Sequence, residues 1–445
     1  MAPAELPTLE LRAREALRDP FLREALGTAT EKFAAARGAA LAEFPASDRY
    51  RDRARRIKDA TLERLDEHLD RLAASVERAG GVVHWALDAA EARAIVLELA
   101  RARGARLVVK SKSMATEEIH LNAALEAAGL EVVETDLGEY IIQLARERPS
   151  HIIVPAIHKT RGQIAGLFAK ATKEPVDADP EALTAVARRE LRERFLRADL
   201  GISGVNFAAA DTGTLVLVTN EGNGRLVTTL PRVHVAVMGV DKVIPSLADV
   251  PVFLQLLPRS ATGQKLTTYT NLIRGPRRRG EADGPDELHL IVLDNGRLRQ
   301  LAGPLREALS CLRCGACLNV CPVYREIGGH AYGHIYPGPI GILLTAMLEG
   351  TRAVGDLAHA SSLCGACLDA CPVRIDIPRM LVALRTSLNR ERIAPLGERV
   401  LFAGLGRVLR SPRLYRAAAR AGRLLQRSVL RGRVPARLPI LRGWT

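Results

Sequence analysis

Apolar positions divide the chain into three stretches of different rhythm. Up to about Gly80 they recur at helical spacing. In RRIKDATLERLDEHLDRLAASVERAGG, Ile57, Leu62, Leu65, Leu69, Leu72 and Val76 fall on one stripe, and Gly80 and Gly81 supply a stop. From about Val82 to Asn295 short β-branched runs take over: RLVVKSKS, EVVETDL, HIIVPAI, TGTLVLVTN, HVAVMGV and LHLIVLDN. Helical patterns such as ATEEIHLNAALEAAG and EALTAVARRELRERF separate them. That alternation predicts an α/β layer structure with a mostly parallel sheet, and near-continuous apolar strands predict cover on both faces. From about Gly303 the rhythm becomes short and helical, and beyond Pro378 it is rich in Arg and Leu, with breaks at Pro395, Gly404, Pro412, Pro435 and Pro439. The expected division is 1–80 helical, 81–297 α/β, 298–380 cysteine-bearing and helical, and 381–445 an Arg-rich helical tail.

Composition narrows the class. The chain has 445 residues, 47% hydrophobic and 26% charged, enough for a sizeable core and more than one compact unit. Seven cysteines are too few for a disulfide scaffold, and an odd number cannot all pair. No run approaches the ~18 to 20 apolar residues of a spanning helix. The start, MAPAELPTLELRAREALRD, lacks a basic segment followed by an apolar one, so no secretory signal is visible and the cytoplasm is the expected compartment. The formal charge of +14 is confined to one end. From Arg379 to Thr445 there are sixteen arginines, no lysine and two acids, Glu391 and Glu398, and the residues before them balance. That tail could be a solvated helix, dock an acidic partner, or lie on an anionic membrane surface. Nucleic acid ranks last, because the tail has one Tyr, one Phe and one Trp and no binding module.

All seven cysteines lie between Cys311 and Cys371, in an internal near-repeat, CLRCGACLNVCPV and SSLCGACLDACPV. Cys311, Cys314, Cys317 and Cys321 with Pro322 have the C-x₂-C-x₂-C-x₃-C-P spacing of bacterial ferredoxins. Three thiolates on one tight turn grip one cube, and the fourth serves a second cluster. Cys371 then completes the first site, a [4Fe–4S] cluster on Cys311, Cys314 and Cys317. Cys321 joins Cys364 and Cys367 at the second. There Ser361 stands where a fourth cysteine is expected, so a [3Fe–4S] cluster, a [4Fe–4S] cluster with a non-thiolate ligand (Ser361, water or a substrate atom), and a labile cluster all stay open. Zinc is the competing use of C-x₂-C pairs, but four cysteines in eleven residues with a proline after each terminal Cys fit clusters better.

The α/β stretch carries no G-x-G-x-x-G, P-loop, H-E-x-x-H or G-x-S-x-G pattern. Its candidates are polar residues at predicted strand ends, where open sheets place ligands. They are Lys110, Ser111, Lys112 and Ser113; Glu134, Thr135, Asp136 and Glu139; His158, Lys159 and Arg161; and Asn206, Asp211, Thr212, Thr214, Asn220, Glu221 and Arg225. Cations there could hold a carboxylate or phosphate, and Asp211 or Glu221 could act as a base. Ordinary caps and exposed loops are the plainer explanation for any one of these residues.

The block VVKSKSMATEEIHLNAALEAAGLEVVETDLGEYIIQLARERPSHIIVPAIHKTR, with GISGVNFAAADTGT, YPGPIG and SSLCGACLDACPV, resembles the lactate utilization protein B family. The likeness runs from about Leu17 to Tyr415. It implies a LUD domain of the sugar-phosphate isomerase and CoA-transferase-like class, followed by a two-motif ferredoxin domain. It implies an iron–sulfur electron carrier in the oxidation of L-lactate to pyruvate, beside a Cys-rich companion and a LUD-only companion. The seven cysteines carry over as cluster ligands, and the SSLCGAC form matches the family's own pattern. No catalytic residue of the LUD domain carries over. Two alternatives remain: the LUD domain is itself a catalytic centre that binds lactate or a related acid on Lys110, Lys112 or Arg225, or the clusters are structural in a non-redox scaffold.

Overall fold

The computed structural model describes residues 8–391, 393 and 396–428. They fall into two compact units, the first ending at Arg385 and the second beginning at Thr386. Ten strands form in the first: β1 (Val82–Ala86), β2 (Leu107–Lys110), β3 (Glu131–Glu134), β4 (Leu200–Gly204), β5 (Phe207–Ala209), β6 (Thr214–Thr219), β7 (Val233–Gly239), β8 (Val243–Ile244), β9 (Tyr269–Ile273) and β10 (Glu287–Leu293). Six of them make a fully parallel sheet in the order β1-β10-β7-β4-β2-β3. Alternation along β2 shows the two-sided cover. Val108 packs with Ala92, Val96, Ile202, Val235 and Ile291 on one face, whereas Leu107 and Val109 pack with Leu191, Phe195 and Val227 on the other. Each such Val, Leu, Ile or Phe side chain, fully buried, contributes roughly 1.5–3 kcal/mol.

Three sequence expectations need correction. TGTLVLVTN does form a strand, β6, but in a separate mixed sheet, β8-β5-β6-β9, paired antiparallel with β5 and β9. HIIVPAI is not a strand. Its amides at Ile153 and Val154 donate to His151 Nδ1 (3.0 and 3.1 Å), and Ser150 N donates to the Pro155 carbonyl (2.9 Å). The imidazole thus takes the hydrogen bonds a ladder would need, and Pro155 has none to give. ATEEIHLNAALEAAG is two short helices, Met114–Glu118 and Leu121–Ala127, broken at His120 with φ 50°.

The predicted N-terminal stripe is likewise shared by two helices, Ser47–Glu63 and Leu65–Arg78, with the break at Arg64. The first of them braces distant parts of the unit. Its Lys58 is buried and bonds the Asp241 carbonyl, while its Arg51 donates to the carbonyls of Cys371 (2.9 Å) and Asp369 (2.7 Å). Two helices, Leu396–Arg410 and Pro412–Ser428, make up most of what is described of the second unit. They leave Val400, Phe402, Leu405, Leu409, Leu414 and Tyr415 exposed among the arginines. The predicted tail continues into residues 429–445, outside the described residues, as does Pro395. Among the described residues no helix is long and apolar enough to cross a membrane.

Candidate metal centre and adjoining cavity

The two halves of the cysteine repeat share one backbone design. Arg313 and Leu363, each just before a cysteine, have φ 60° and 55°, and Gly315 and Gly365 just after it have φ 72° and 87°. A glycine suits that left-handed turn, which starts a short helix in each half, Ala316–Asn319 and Ala366–Ala370. Proline follows each terminal cysteine at the first helical or turn position. Backbone amides point at sulfur in both halves: Arg313 N to Cys311 (3.3 Å), Tyr324 N to Cys321 (3.5 Å) and Ile375 N to Cys371 (3.3 Å).

Cys311, Cys314, Cys317 and Cys371 line one small cavity, closed by Ile152, Ile340, Val373 and Ile375. Burial, followed by the neighbouring Cys311 and Cys371, pushes Cys314 up to about 12. Burial likewise lifts Cys371 to about 11 and Cys317 well above its ordinary value. Three buried thiols that resist ionisation when left to themselves, with the half-buried Cys311 beside them, are a donor set for a compact, multiply charged metal centre, whose cations supply the missing counter-charge. An iron–sulfur cluster fits this site. The second set is built differently. Burial and then Cys321 raise Cys367 to about 12, and Cys364 adds to both. Cys364 itself is exposed and lowered by the Ala366 amide. The buried Tyr332 hydroxyl faces Cys321. Cys317 and Cys367 feel each other, so the sets are neighbours. Ser361 occupies the place of Cys311: its Oγ accepts from Leu363 N at 3.2 Å, as Cys311 Sγ accepts from Arg313 N.

Beside the first set is a larger cavity of about 560 Å³. It opens off the carboxyl ends of β2, β4 and β7, which supply Ser111 to Ser113, Val205 and Asn206, and Lys242. Thr219, Asn220 and Glu221 come from the end of β6, and Ile152 to Pro155 from the folded HIIVPAI loop. Ile152, Leu312 and Arg313 line both cavities and form their common wall. Burial, then nearby Asp136, pushes Glu221 up to about 7, and Lys112 opposes them. A second charged group surrounds Asp241. Burial alone would raise that carboxyl, but Lys242, Arg297, Arg313 and Lys58 hold it well below the usual range. Arg297 pairs with Asp241 (2.7 Å) and Glu118 (2.6 Å), all three deeply buried.

Of the cations first considered for an anion, Lys112 alone reaches the cavity. Lys110 is fully buried on Glu134 (2.6 Å), Asn122 (2.5 Å) and Glu117 (3.3 Å), and Arg225 is exposed on the helix Asn223–Thr229. Ser111, Ser113, Asp136, Asn206, Asn220 and Glu221 line it. Several of these also serve the fold: Asp136 caps the helix Leu137–Ala145, and Asn206 accepts from Val218 N at 2.9 Å. Glu134 is taken by Lys110, Thr135 donates to the Lys110 carbonyl, and Glu139 is buried with its carboxyl raised well above the ordinary value by burial. His158 and Lys159 meet Glu147 outside the cavity, Arg161 begins an exposed helix turn, Asp211 accepts from Ser246 and Leu247, and Thr212 bonds Thr214. Lys242, Arg297, Arg313 and Tyr336 were not singled out by sequence reasoning. Applying the strand-end rule to HVAVMGV-DK would have reached Lys242.

The LUD domain family model matches residues 69–293, and the 4Fe-4S dicluster domain model matches 307–375. The chain is 45% identical to lactate utilization protein B of Shouchella clausii, over 98% of this chain and 92% of that protein. It is 44% identical to lactate utilization protein B of Bacillus subtilis and 43% identical to the uncharacterized electron transport protein YkgF of Escherichia coli, in each case over 92% of this chain and 86% of the relative.

Proposed function

Because the chain belongs to the lactate utilization protein B family, we propose that it is an iron–sulfur electron carrier between lactate oxidation and an acceptor. In this reading Cys311, Cys314, Cys317 and Cys371 hold a [4Fe–4S] cluster. Cys321, Cys364 and Cys367 hold the second, a [4Fe–4S] or [3Fe–4S] cluster beside Ser361. When bound, such clusters accept and release one electron at a time with little change in geometry. The chain's part is to fix their order and surroundings. The observation that carries the reading is the polarity of the arrangement. One cysteine set is buried except for the half-buried Cys311 and shares a wall with the LUD cavity, its neighbour ends at an exposed Cys364, and Cys317 and Cys367 lie between. That order gives electrons an inner terminus at the cavity and an outer one on the surface. The outer terminus is where a companion of the lactate-utilisation system, Cys-rich or LUD-only, would dock.

The test is genetic and direct. A strain whose sole copy carries Cys314→Ala, with the protein accumulating normally, loses growth on L-lactate and keeps growth on pyruvate. Normal growth on lactate would remove both the carrier reading and a catalytic use of the first cluster, and would leave a scaffold role.

A further inference from the structure

The cavity behind the first cysteine turn is built unlike a cap-lined loop. Arg313 is 9% exposed and lines it, yet Nη1 and Nη2 find no acceptor at hydrogen-bonding distance and angle. Its guanidinium lies over the Tyr336 ring at 5.0 Å, and its nearest carboxylate, Asp241, is 3.8 Å away. Asp241 pairs with Arg297 at 2.7 Å and Lys242 at 3.3 Å, and the Tyr336 hydroxyl donates its proton to Glu118. Four cations (Lys58, Lys242, Arg297 and Arg313) therefore face two carboxylates (Asp241 and Glu118) and the Cys311 sulfur, and neither terminal nitrogen of the Arg313 fork is fixed by a hydrogen bond. Ser111 Oγ, also in the wall, is buried without a partner. Around these polar groups the lining is aliphatic: Ile141, Ile153, Val154, Leu217, Val218 and Leu257. A free guanidinium fork selects a planar carboxylate, and an aliphatic lining selects an apolar body. About 560 Å³ is several times what a three-carbon acid fills.

We propose that this cavity binds an organic monocarboxylate with an aliphatic tail, its carboxylate forked by Arg313 and its tail along the Ile153, Val154 and Leu257 wall. A polar substituent next to the carboxylate meets Ser111. Lactate is then the shortest member of the class the cavity accepts. A bound carboxylate also neutralises the cation in the wall shared with the first cysteine set. Removing positive charge there disfavours the reduced, more negative cluster, so the midpoint potential of the first site moves negative. This last consequence rests on the electron-carrier reading; the binding itself does not.

The test uses the full chain, purified anaerobically with its iron. Calorimetric titration with L-2-hydroxy acids of increasing chain length, from L-lactate to 2-hydroxyoctanoate, should give saturable one-to-one binding. Affinity should rise about fourfold per added methylene until the tail fills the cavity, and the primary alcohols of equal length should not bind. Arg313→Gln with unchanged iron content should weaken binding at least tenfold and abolish the potential shift. No saturable binding to the iron-loaded protein, or no gain with chain length, overturns the proposal and leaves the carrier reading standing. If Arg313→Gln shifts the potential but binds the acids as before, the fork serves the cluster and the proposal falls. If that variant loses its iron, the chain-length series and the alcohol controls on the unaltered protein decide alone. A protein purified without iron would strike the carrier reading itself.

Discussion

Replacing His151 by leucine tests the junction between the LUD loop and the first cysteine turn. The imidazole is 1% exposed. Its Nδ1 accepts from Ile153 N and Val154 N, so Nε2 carries the proton and donates to Asn319 Oδ1 at 3.1 Å, inside the helix that presents Cys317. Leucine fills similar space and serves none of these partners. Two half-buried amides and one buried amide oxygen are left unpaired, and at about 1 kcal/mol each, the low end for such an orphan, the variant loses ~3 kcal/mol near neutral pH. The loss depends on pH in a defined sense. Burial, with Lys112 adding to it, holds His151 down to about 3, whereas in the unfolded chain it titrates near ~6.5. The depressed value means the wild-type folded state cannot take up the proton that the unfolded state takes up. Stability is fully present above about pH 6.5 and is lost as pH falls toward 3. At pH 5.5 that loss is ~1.4 kcal/mol, and the leucine variant does not share it. The gap between wild type and H151L should therefore narrow from ~3 kcal/mol at pH 7.5 to ~1.6 kcal/mol at pH 5.5. Anaerobic urea unfolding of the iron-loaded proteins at both pH values, followed by circular dichroism, measures it. Equal stability of the two proteins at pH 7.5, or a gap unchanged at pH 5.5, would refute the role given to this imidazole.

Other outcomes follow from the same geometry. Arg297→Met takes from Glu118 the cation it pairs with, and from Asp241 one of several, and should cost ~3–5 kcal/mol in urea unfolding; adding Glu118→Gln should recover part of it, and a double variant no better than the single would argue against direct pairing. Cys364→Ala should remove iron and paramagnetic signal belonging to the second site while the first persists, because Cys364 takes no part in the cavity lined by Cys311, Cys314, Cys317 and Cys371; loss of both signals together would contradict separate sites. Ser361→Cys places a thiol where Oγ already accepts from Leu363 N, and should raise iron per chain if the second site is a three-iron cluster, or slow its loss in air if it is a four-iron one. Unchanged iron and unchanged air sensitivity would show that Ser361 does not face the second cluster.

Much of this architecture could be read from the chain alone, for physical reasons. Strands β2, β3, β7 and β10 are largely buried, and cover on both faces favours near-continuous apolar runs, with exceptions such as Lys110 and Glu134 paired to each other. Strand β4, LGISG, escaped notice because two of its five residues are glycines, one of them pressed against the Val227 carbonyl, where a side chain would not fit. HIIVPAI misled because β-branched residues fill a loop as readily as a strand when a histidine supplies the hydrogen bonds. The cysteine repeat announced its chemistry through spacing, and it correctly aligned Ser361 with Cys311. Arg313 could not be recognised in the same way. Within the repeat it is one variable residue between two cysteines. Its importance comes from the LUD cavity that folding brings against it and from a guanidinium whose terminal nitrogens make no hydrogen bond there, neither of which has a local signature. Lys110 shows the converse, a strand-end cation that looked free in sequence and is consumed by Glu134.

The central claim, that the seven cysteines hold two redox-active clusters in series, meets its most direct test in one measurement. The full chain, purified anaerobically, is assayed for iron and acid-labile sulfide while electron paramagnetic resonance follows a stepwise reductive titration. The account requires about seven to eight irons per chain, a matching sulfide content, and two signals that reduce separately, with spin–spin broadening when both are paramagnetic. A colourless protein with stoichiometric zinc, or a single signal with half the iron, would contradict it.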